Sequence, residues 1–219
     1  MKKVLSVCLA SLLLVGCTNK QTSTTTNTNT STNNNTSSTQ TEDTNTTTKS
    51  GITITNPITL NSTQADMSGY QWIRGDVANF QEITLGESLR MFEEGGTGIL
   101  YYGYDTCQWC NRAVPELNEV AKELNLTIYY VDASQRVERD EYAKLLEYID
   151  PVLEVDSKGE KGFYVPAIIG VKDGKITDFH VSLVDNFEIP QNDPDKQLSD
   201  DQKQQLRDIY TQIAEKTAD

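Results

Sequence analysis

The order of hydrophobic and polar positions predicts alternating strands and helices from about residue 77 to the C-terminus. Apolar residues recur at helical spacing in four stretches, 85–94, 113–124, 137–149 and 200–213. Shorter apolar runs have the length and composition of strands, at 80–84, 99–104, 126–131, 165–171 and 175–181. The predicted order is β-α-β-α-β-α-β-β-α, which is that of an α/β fold.

Capping and turn residues define several of these boundaries. Thr84 and Ser199 are each followed three residues later by Glu or Gln, which predicts a capping box at the start of the first and last helices. Asp173-Gly174 between two apolar runs predicts a tight hairpin.

Three further expectations concern local structure. The strand at 80–84 is expected at the edge of the sheet, and residues 151–162 are expected to form a loop. The third helix is expected to bury the apolar side chains of one face, Tyr142, Leu145, Leu146 and Ile149.

The first 50 residues differ in composition from the rest. A basic start and an apolar run from 4 to 15, too short to span a bilayer, form an export signal. Of the 30 residues from 21 to 50, 27 are Thr, Ser, Asn or Gln, which leaves nothing to bury. The predicted division is a signal peptide at 1–16, a lipidated Cys17 with a disordered tether at 17–50, a lead-in segment at 51–76 and a domain at 77–219.

The sequence Leu14-Val15-Gly16-Cys17 resembles the lipobox of bacterial lipoproteins. The resemblance implies cleavage before Cys17 and acylation of its sulfur. The protein is then extracytoplasmic and lipid-anchored to the cell membrane, and the tether composition favours a Gram-positive-type envelope. The alternative is an ordinary signal peptide that ends in a cysteine by coincidence.

The charge balance excludes two classes of partner. The net charge is −13, which argues against nucleic acid and against binding of anionic lipid through a basic patch.

Cys107 and Cys110 are the clearest candidates for chemistry. Of the four cysteines, Cys8 and Cys17 belong to the export signal, so this pair is expected to supply the free thiols of the mature protein. A pair without other partners can cycle between dithiol and disulfide. The alternative of a static disulfide gains little loop entropy at this spacing.

A metal site is not expected, because further ligands are scarce. His180 is the sole histidine, and a four-ligand zinc site needs more cysteines or histidines than the chain offers. We interpret His180 as a hydrogen-bonded residue at a strand end and Asp105 as a loop charge. No cofactor is predicted.

The placement of the cysteine pair, between a central strand and a helix, resembles the thioredoxin fold. Pro115 stands where that family has its helix-kinking proline, and Val165-Pro166 stands where it has its cis-proline. The resemblance covers about residues 77–216 and implies a thioredoxin-like fold with a central mixed sheet flanked by helices and an N-terminal extension. Within the superfamily the chain is most similar to small Gram-positive proteins described as thioredoxin-like or bacteriocin-transport accessory-like.

The resemblance and the helix position imply roles for the site residues. Cys107, at the helix tip, is expected to be the nucleophilic thiolate, and Cys110 is expected to resolve the mixed disulfide. Pro166, if cis, is expected to bring the backbone of Val165 beside the sulfurs, where Val165 offers its N–H and C=O groups to a substrate strand. Trp109 is expected to form an apolar lip for the substrate.

Two departures from thioredoxins leave the redox direction open. Thioredoxins bury an aspartate six residues before the first cysteine, where this chain has Tyr101. The residues between the cysteines are Gln108 and Trp109, rather than those of known reductants or oxidants. The oxidising compartment favours work as an oxidase or isomerase.

The expected function is that of an extracytoplasmic thiol-disulfide oxidoreductase that exchanges disulfides with exported proteins. Its expected partners are exported thiols or disulfides, a membrane redox partner and the lipid anchor, and the chain is expected to be a monomer. Two alternatives remain at this point. One is a redox-inactive accessory module of the same fold that assists export or maturation of peptides. The other is a copper or zinc carrier.

Overall fold

The computed structural model of the protein describes residues 51–219. The predicted signal peptide at 1–16, the lipidation site Cys17 and the tether at 17–50 lie outside the described residues.

Eight strands form two sheets within the described residues. The strands are β1 (Thr63–Gln64), β2 (Asn79–Glu82), β3 (Gly98–Gly103), β4 (Thr127–Asp132), β5 (Glu154–Val155), β6 (Lys161–Gly162), β7 (Ala167–Lys172) and β8 (Lys175–Val181). The larger sheet has the order β1-β2-β4-β3-β7-β8, and β5 pairs with β6 separately. Strands β2, β4 and β3 run parallel, while β1, β7 and β8 are antiparallel to their neighbours, so the sheet is mixed.

Four α-helices in the described part of the chain cover the two faces of this sheet. They are α1 (Leu85–Glu93), α2 (Gln108–Glu123), α3 (Arg139–Tyr148) and α4 (Asp200–Thr217), with a short 3-10 turn at Asp150–Val152. The alternation of side chains along β3 separates the core into two layers. Ile99 and Tyr101 pack with α2 and α4, whereas Leu100 and Tyr102 pack with α1 and α3. This mixed sheet flanked by helices confirms the predicted thioredoxin-like fold class.

The capping predictions are confirmed to different extents. Ser199 accepts the N–H of Gln202, and the Gln202 side chain accepts the N–H of Ser199, which completes the capping box of α4. Thr84 accepts the N–H of Glu87 at 3.2 Å. The Glu87 carboxylate, however, binds Asn61 and Arg90 instead of returning to Thr84. The first capping box is therefore only half formed.

Three local expectations are wrong. The strand at 80–84 is not at the edge, because the lead-in strand β1 pairs with the outer side of β2. Tyr142 is 38% exposed, whereas Leu145 and Ile149 of the same predicted face are fully buried and Leu146 is partly buried. Residues 151–162 are not a plain loop, because they contain the β5–β6 hairpin, whose two-residue strands are too short to show a periodicity.

Candidate redox site at the start of the second helix

The site lies where the fully buried strand β3 passes into α2. Cys107 is the N-cap residue of α2, with an extended backbone conformation, and its sulfur accepts the N–H of Cys110 at 3.1 Å. The two sulfurs form a disulfide, with 5.1 Å between the Cα atoms. A cysteine at an N-cap faces the unpaired N–H groups of the first helical turn, which favour negative charge on sulfur after reduction.

The two cysteines differ in accessibility. Cys107 is 7% exposed, whereas Cys110 is fully buried. Of the pair, only Cys107 retains any exposed surface, which is consistent with the order of roles expected from the sequence. The assignment of nucleophile and resolving thiol stays a prediction.

The segment before β7 completes the opening of the site. The Val165-Pro166 peptide bond is cis, and the carbonyl oxygen of Val165 lies 3.9 Å from the sulfur of Cys107. Val165 is half-buried and Pro166 is buried. The structure therefore brings Val165, with Pro166 beside it, to the cysteine pair as the resemblance implied.

Two aromatic side chains are exposed on the elements that carry the site. Trp109, in the first turn of α2, is 43% exposed, and Tyr164, next to Val165, is 44% exposed. Trp109 has the exposure that an apolar lip requires. Tyr164 was not singled out from the sequence.

Tyr101 occupies the position at which thioredoxins bury an aspartate. Its side chain is fully buried, and its hydroxyl lies 3.1 Å from that of Tyr70, which in turn donates to Tyr130 at 3.4 Å. Burial raises the pKa of Tyr101 well above its usual value, so the phenol is neutral at physiological pH. A Cβ at position 103 would overlap the Tyr101 hydroxyl, which explains the glycine there. The site therefore has an uncharged phenol where a carboxylate would titrate.

Asn111 holds the backbone that leads into the cysteine pair. Its carboxamide donates to the carbonyl oxygens of Asp105 and Cys107 and accepts the N–H of Gln71. The side chain is buried, whereas Asp105 itself is exposed. This amide therefore joins the loop before the cysteines to the first turn of α2.

Arg112 is a buried cation one position further along α2. Its guanidinium donates to the carbonyl oxygens of Gln108, Pro194 and Lys196, each at 2.7 Å. It also lies over the rings of Trp72 and Phe187. Burial lowers the pKa of Arg112, and Asp195 and Asp193 act in the opposite direction. The charge fastens the 194–196 segment to the helix that carries the cysteines.

Asn111 and Arg112 were not predicted from the sequence, although the pattern of α2 held a signal for Asn111. The buried face of α2 includes Val114 and Leu117, and Asn111 and Asn118 lie one turn to either side of Val114. Polar residues on a face that must be buried need partners, and this predicts contacts with other segments.

His180 lies on β8 and does not join the cysteine pair in any contact described here. Its ring packs edge-on against Tyr210 of α4. Burial lowers the pKa of His180, and a backbone hydrogen bond with Leu183 opposes that shift. Its Nε2 is buried and has no hydrogen-bond partner among residues 51–219, so the expectation of a fully hydrogen-bonded histidine is wrong for one of the two nitrogens.

Residues 51–219 contain no group of three or more His, Cys, Asp or Glu side chains placed to hold a metal ion. Two open clefts of about 640 and 770 Å³ lie along the lead-in segment, and neither is lined by a cysteine. None of the helices in this part of the chain combines the length and hydrophobicity needed to cross a membrane.

The fold and the site together define a protein of thioredoxin-like fold with a Cys-x-x-Cys pair of the thiol-disulfide type. No protein-family model matches the sequence, and no curated protein matches it. Among solved structures, a thioredoxin from Aeropyrum pernix is similar at 29% identity over 46% of this chain and 73% of that chain, with a TM-score of 0.32. The fold assignment rests on the strand order and helix placement described above rather than on this likeness.

Proposed function

We propose that the protein is an extracytoplasmic thiol-disulfide oxidoreductase that exchanges disulfides with exported proteins. The observation that carries the proposal is the N-cap position of Cys107, which is slightly exposed, with Cys110 fully buried one turn behind it. An accessible sulfur that faces helix N–H groups is suited to attack, and a buried neighbour is suited to resolve the product.

The exchange needs no cofactor, because the two sulfurs carry both electrons. In the reductive direction, the Cys107 thiolate attacks a substrate disulfide, forms a mixed disulfide and releases one substrate sulfur as a thiolate. The Cys110 thiolate then attacks the Cys107 sulfur and releases the second substrate thiol. The protein is left oxidised, with the disulfide seen in the structure. Oxidation of a substrate dithiol is the same sequence in reverse.

Single cysteine variants test this sequence of steps. Cys110→Ser, with its Cys107 thiol reduced, is expected to trap a mixed disulfide with a substrate that carries disulfides, such as scrambled ribonuclease, and Cys107→Ser is expected to trap none. Turnover is expected to fall by about 100-fold or more in both, because each step needs its own thiolate. The measurements are non-reducing electrophoresis and the rate of exchange. Equal turnover in wild type and in the Cys107→Ser/Cys110→Ser double variant would reject the enzyme and favour an accessory module of the same fold.

The location is proposed on sequence grounds, from the resemblance of residues 14–17 to a lipobox. The proposal predicts that the chain partitions into detergent when expressed in a Gram-positive host and that Cys17→Ser releases it. Detergent partitioning that is unchanged in Cys17→Ser contradicts lipidation at this residue, whatever the result of the exchange assay. The proposed partners are exported polypeptides and a membrane redox protein.

A further inference from the structure

We propose that Asn111 is a positioning residue that sets the reactivity of Cys107 by fixing the backbone on which that sulfur is mounted. The inference rests on the proposed function, since it concerns the rate at which the same sulfur reacts. Asn111 touches neither sulfur in the contacts described, so it acts through the Cys107 backbone.

The hydrogen bonds of Asn111 converge on the turn that precedes α2. The side-chain Nδ2 donates to the Cys107 carbonyl oxygen at 3.1 Å and also to the Asp105 carbonyl oxygen. The backbone N–H of Asn111 donates to the same Cys107 carbonyl at 3.0 Å. Two donors on one carbonyl restrict the rotation of the Cys107 peptide, and the third bond ties that peptide to the loop before it.

The orientation of this peptide determines what the sulfur meets. Cys107 has φ −78° and ψ 118°, which places its sulfur 3.1 Å from the N–H of Cys110. An N-cap acceptor has this geometry, and the bond together with the helix dipole stabilises a thiolate. If the turn relaxes, the sulfur loses its place at the cap and a larger fraction of Cys107 is protonated at neutral pH.

Asn111 also connects the site to the lead-in segment. Its Oδ1 accepts the N–H of Gln71 at 2.5 Å. The neighbours of Gln71 contact the site as well, since Tyr70 lies against Tyr101 and Trp72 stacks on Arg112. The segment preceding the domain is therefore held by the two residues that follow Cys110.

The same helix supplies a matched control. Asn118 is buried, accepts the N–H of Ala78 at 2.8 Å and donates to the carbonyl of Asp76 at 3.2 Å. It thus makes the same kind of contact with the backbone at the end of the lead-in segment, at Asp76, and just after it, at Ala78. It lies seven residues from Asn111, about 10 Å along the helix axis. Removal of either amide damages packing, but of the two only Asn111 contacts the turn that carries Cys107.

The test is the pH dependence of Cys107 alkylation in the reduced full chain, with each thiol resolved by mass spectrometry. Asn111→Ala is expected to slow alkylation at pH 7 about fivefold, which corresponds to about 1 kcal/mol for a lost cap. Its apparent pKa for Cys107 is expected to rise. Asn118→Ala is expected to leave both values within about twofold of wild type, because it shares no partner with the cysteine turn. Equal effects of the two variants on alkylation would overturn the inference.

A second variant covers the case in which Asn111→Ala does not fold. A serine in a helix donates to the carbonyl four residues earlier, so Asn111→Ser retains a bond to Cys107 and loses those to Asp105 and Gln71. Its alkylation rate is expected between those of wild type and the alanine variant, and a wild-type rate contradicts the inference. Alkylation does not require substrate turnover. If the wild-type protein exchanges no disulfides, the proposed function is rejected. The alkylation rates of the variants still test the role of Asn111 independently of that result.

Discussion

Arg112 shows how a single buried charge can organise the surroundings of a reactive pair. Its exposed fraction is 2%, and a guanidinium removed from water must replace its solvation with hydrogen bonds. The carbonyl groups of Gln108, Pro194 and Lys196 supply them, and the cation also lies over two aromatic rings, those of Trp72 and Phe187. Among cationic side chains, only arginine has a planar group whose N–H donors point in several fixed directions.

We therefore expect Arg112→Met to destabilise the fold by about 2–3 kcal/mol, because it leaves these carbonyl groups without their charged donor. Arg112→Lys is expected to recover only part of the loss, since an ammonium cannot reach all three oxygens. Urea unfolding of the oxidised protein measures both. The control is Arg90→Met, which removes an arginine that pairs with the carboxylates of Glu87 and Glu94 near the surface. Its effect is expected to be smaller, and an equal loss in both variants contradicts the role given to Arg112.

Tyr101 places a phenol at the position where thioredoxins bury an aspartate. A buried aspartate below a cysteine pair titrates and moves protons, whereas the raised pKa of Tyr101 keeps its hydroxyl neutral. Its bond to Tyr70 ties a residue of the lead-in segment to β3, the strand that precedes the cysteine pair. This position therefore offers Cys110 no carboxylate that could take up or release a proton.

At the scale of elements, the β7–β8 hairpin is docked onto the end of α1 through its turn. Asp173 and Gly174 both have positive φ, 51° and 73°, as a tight two-residue turn requires. The N–H of Gly174 donates to the carbonyl of Gly96 at 2.9 Å. A Cβ at position 174 would lie 2.5 Å from the carbonyl oxygen of Phe92.

Two glycines with nearly the same backbone conformation distinguish the cost of backbone strain from the cost of a steric clash. Gly95 has φ +74° and open space where a Cβ would stand, whereas Gly174 has φ +73° and the Phe92 backbone there. Gly95→Ala is expected to cost about 1 kcal/mol for the left-handed conformation alone. Gly174→Ala is expected to cost about 3 kcal/mol, because the hairpin must also move from α1. Denaturant midpoints give the comparison, and equal costs would show that the turn does not depend on this close approach.

The elements that the sequence predicted well are those with a local signal. The helical stripe that includes Leu206, Tyr210 and Ile213 is buried as expected, and the turn at Asp173-Gly174 is determined by two residues. The cysteine pair and the Val165-Pro166 segment could be assigned to one site because of where they stand relative to these elements: the cysteines lie between a strand and a helix, and Val165-Pro166 lies just before the hairpin.

The lead-in segment could not be predicted because its contacts are made with distant residues. Tyr70, Gln71 and Trp72 meet residues 101, 111 and 112, which lie 31 to 40 positions later. No periodicity within 51–76 records such contacts. The pairing of β1 with β2 is also made with residues outside the segment, since Thr63 pairs with Glu82 and Gln64 with Gln81. The predicted burial of Tyr142 was wrong for a related reason. Helical periodicity shows which residues share a face of a helix, but it does not show how far the neighbouring element extends to cover that face.

At the scale of the whole molecule, the core holds a concentration of phenols on one side of the sheet. Tyr70, Tyr101, Tyr130 and Tyr210 are all buried in the layer between the sheet and helices α2 and α4. Burial is the largest cause that raises the pKa of each of them. For Tyr210 the charge of Glu116 adds a smaller contribution in the same direction. The folded molecule therefore holds these phenols neutral.

The consequence is a loss of stability at alkaline pH, and the sign follows from linkage. In the unfolded chain a tyrosine ionises near pH 10, whereas in the folded protein the raised pKa keeps the proton bound. Below pH 10 both states are protonated and the stabilising contribution is complete. Above it the unfolded state loses protons that the folded state retains, so the free energy of unfolding falls as pH rises. Each buried tyrosine contributes up to about 1.4 kcal/mol per pH unit in this range.

Tyr210 gives the cleanest test of this prediction, because its buried hydroxyl has no hydrogen-bond partner within the described part of the chain. Tyr210→Phe therefore removes a titrating group without breaking a bond there, and it is expected to reduce the slope of unfolding free energy against pH above 10 by about 1.4 kcal/mol per unit. Tyr164→Phe is the control, since Tyr164 is exposed and its removal is expected to leave the slope unchanged. Urea unfolding between pH 8 and 11 gives the slopes, and absorbance near 295 nm reports phenolate formation. Reversible ionisation of every tyrosine near pH 10 with the fold intact would contradict the prediction, because it would mean that the core admits the charge that its burial is expected to exclude.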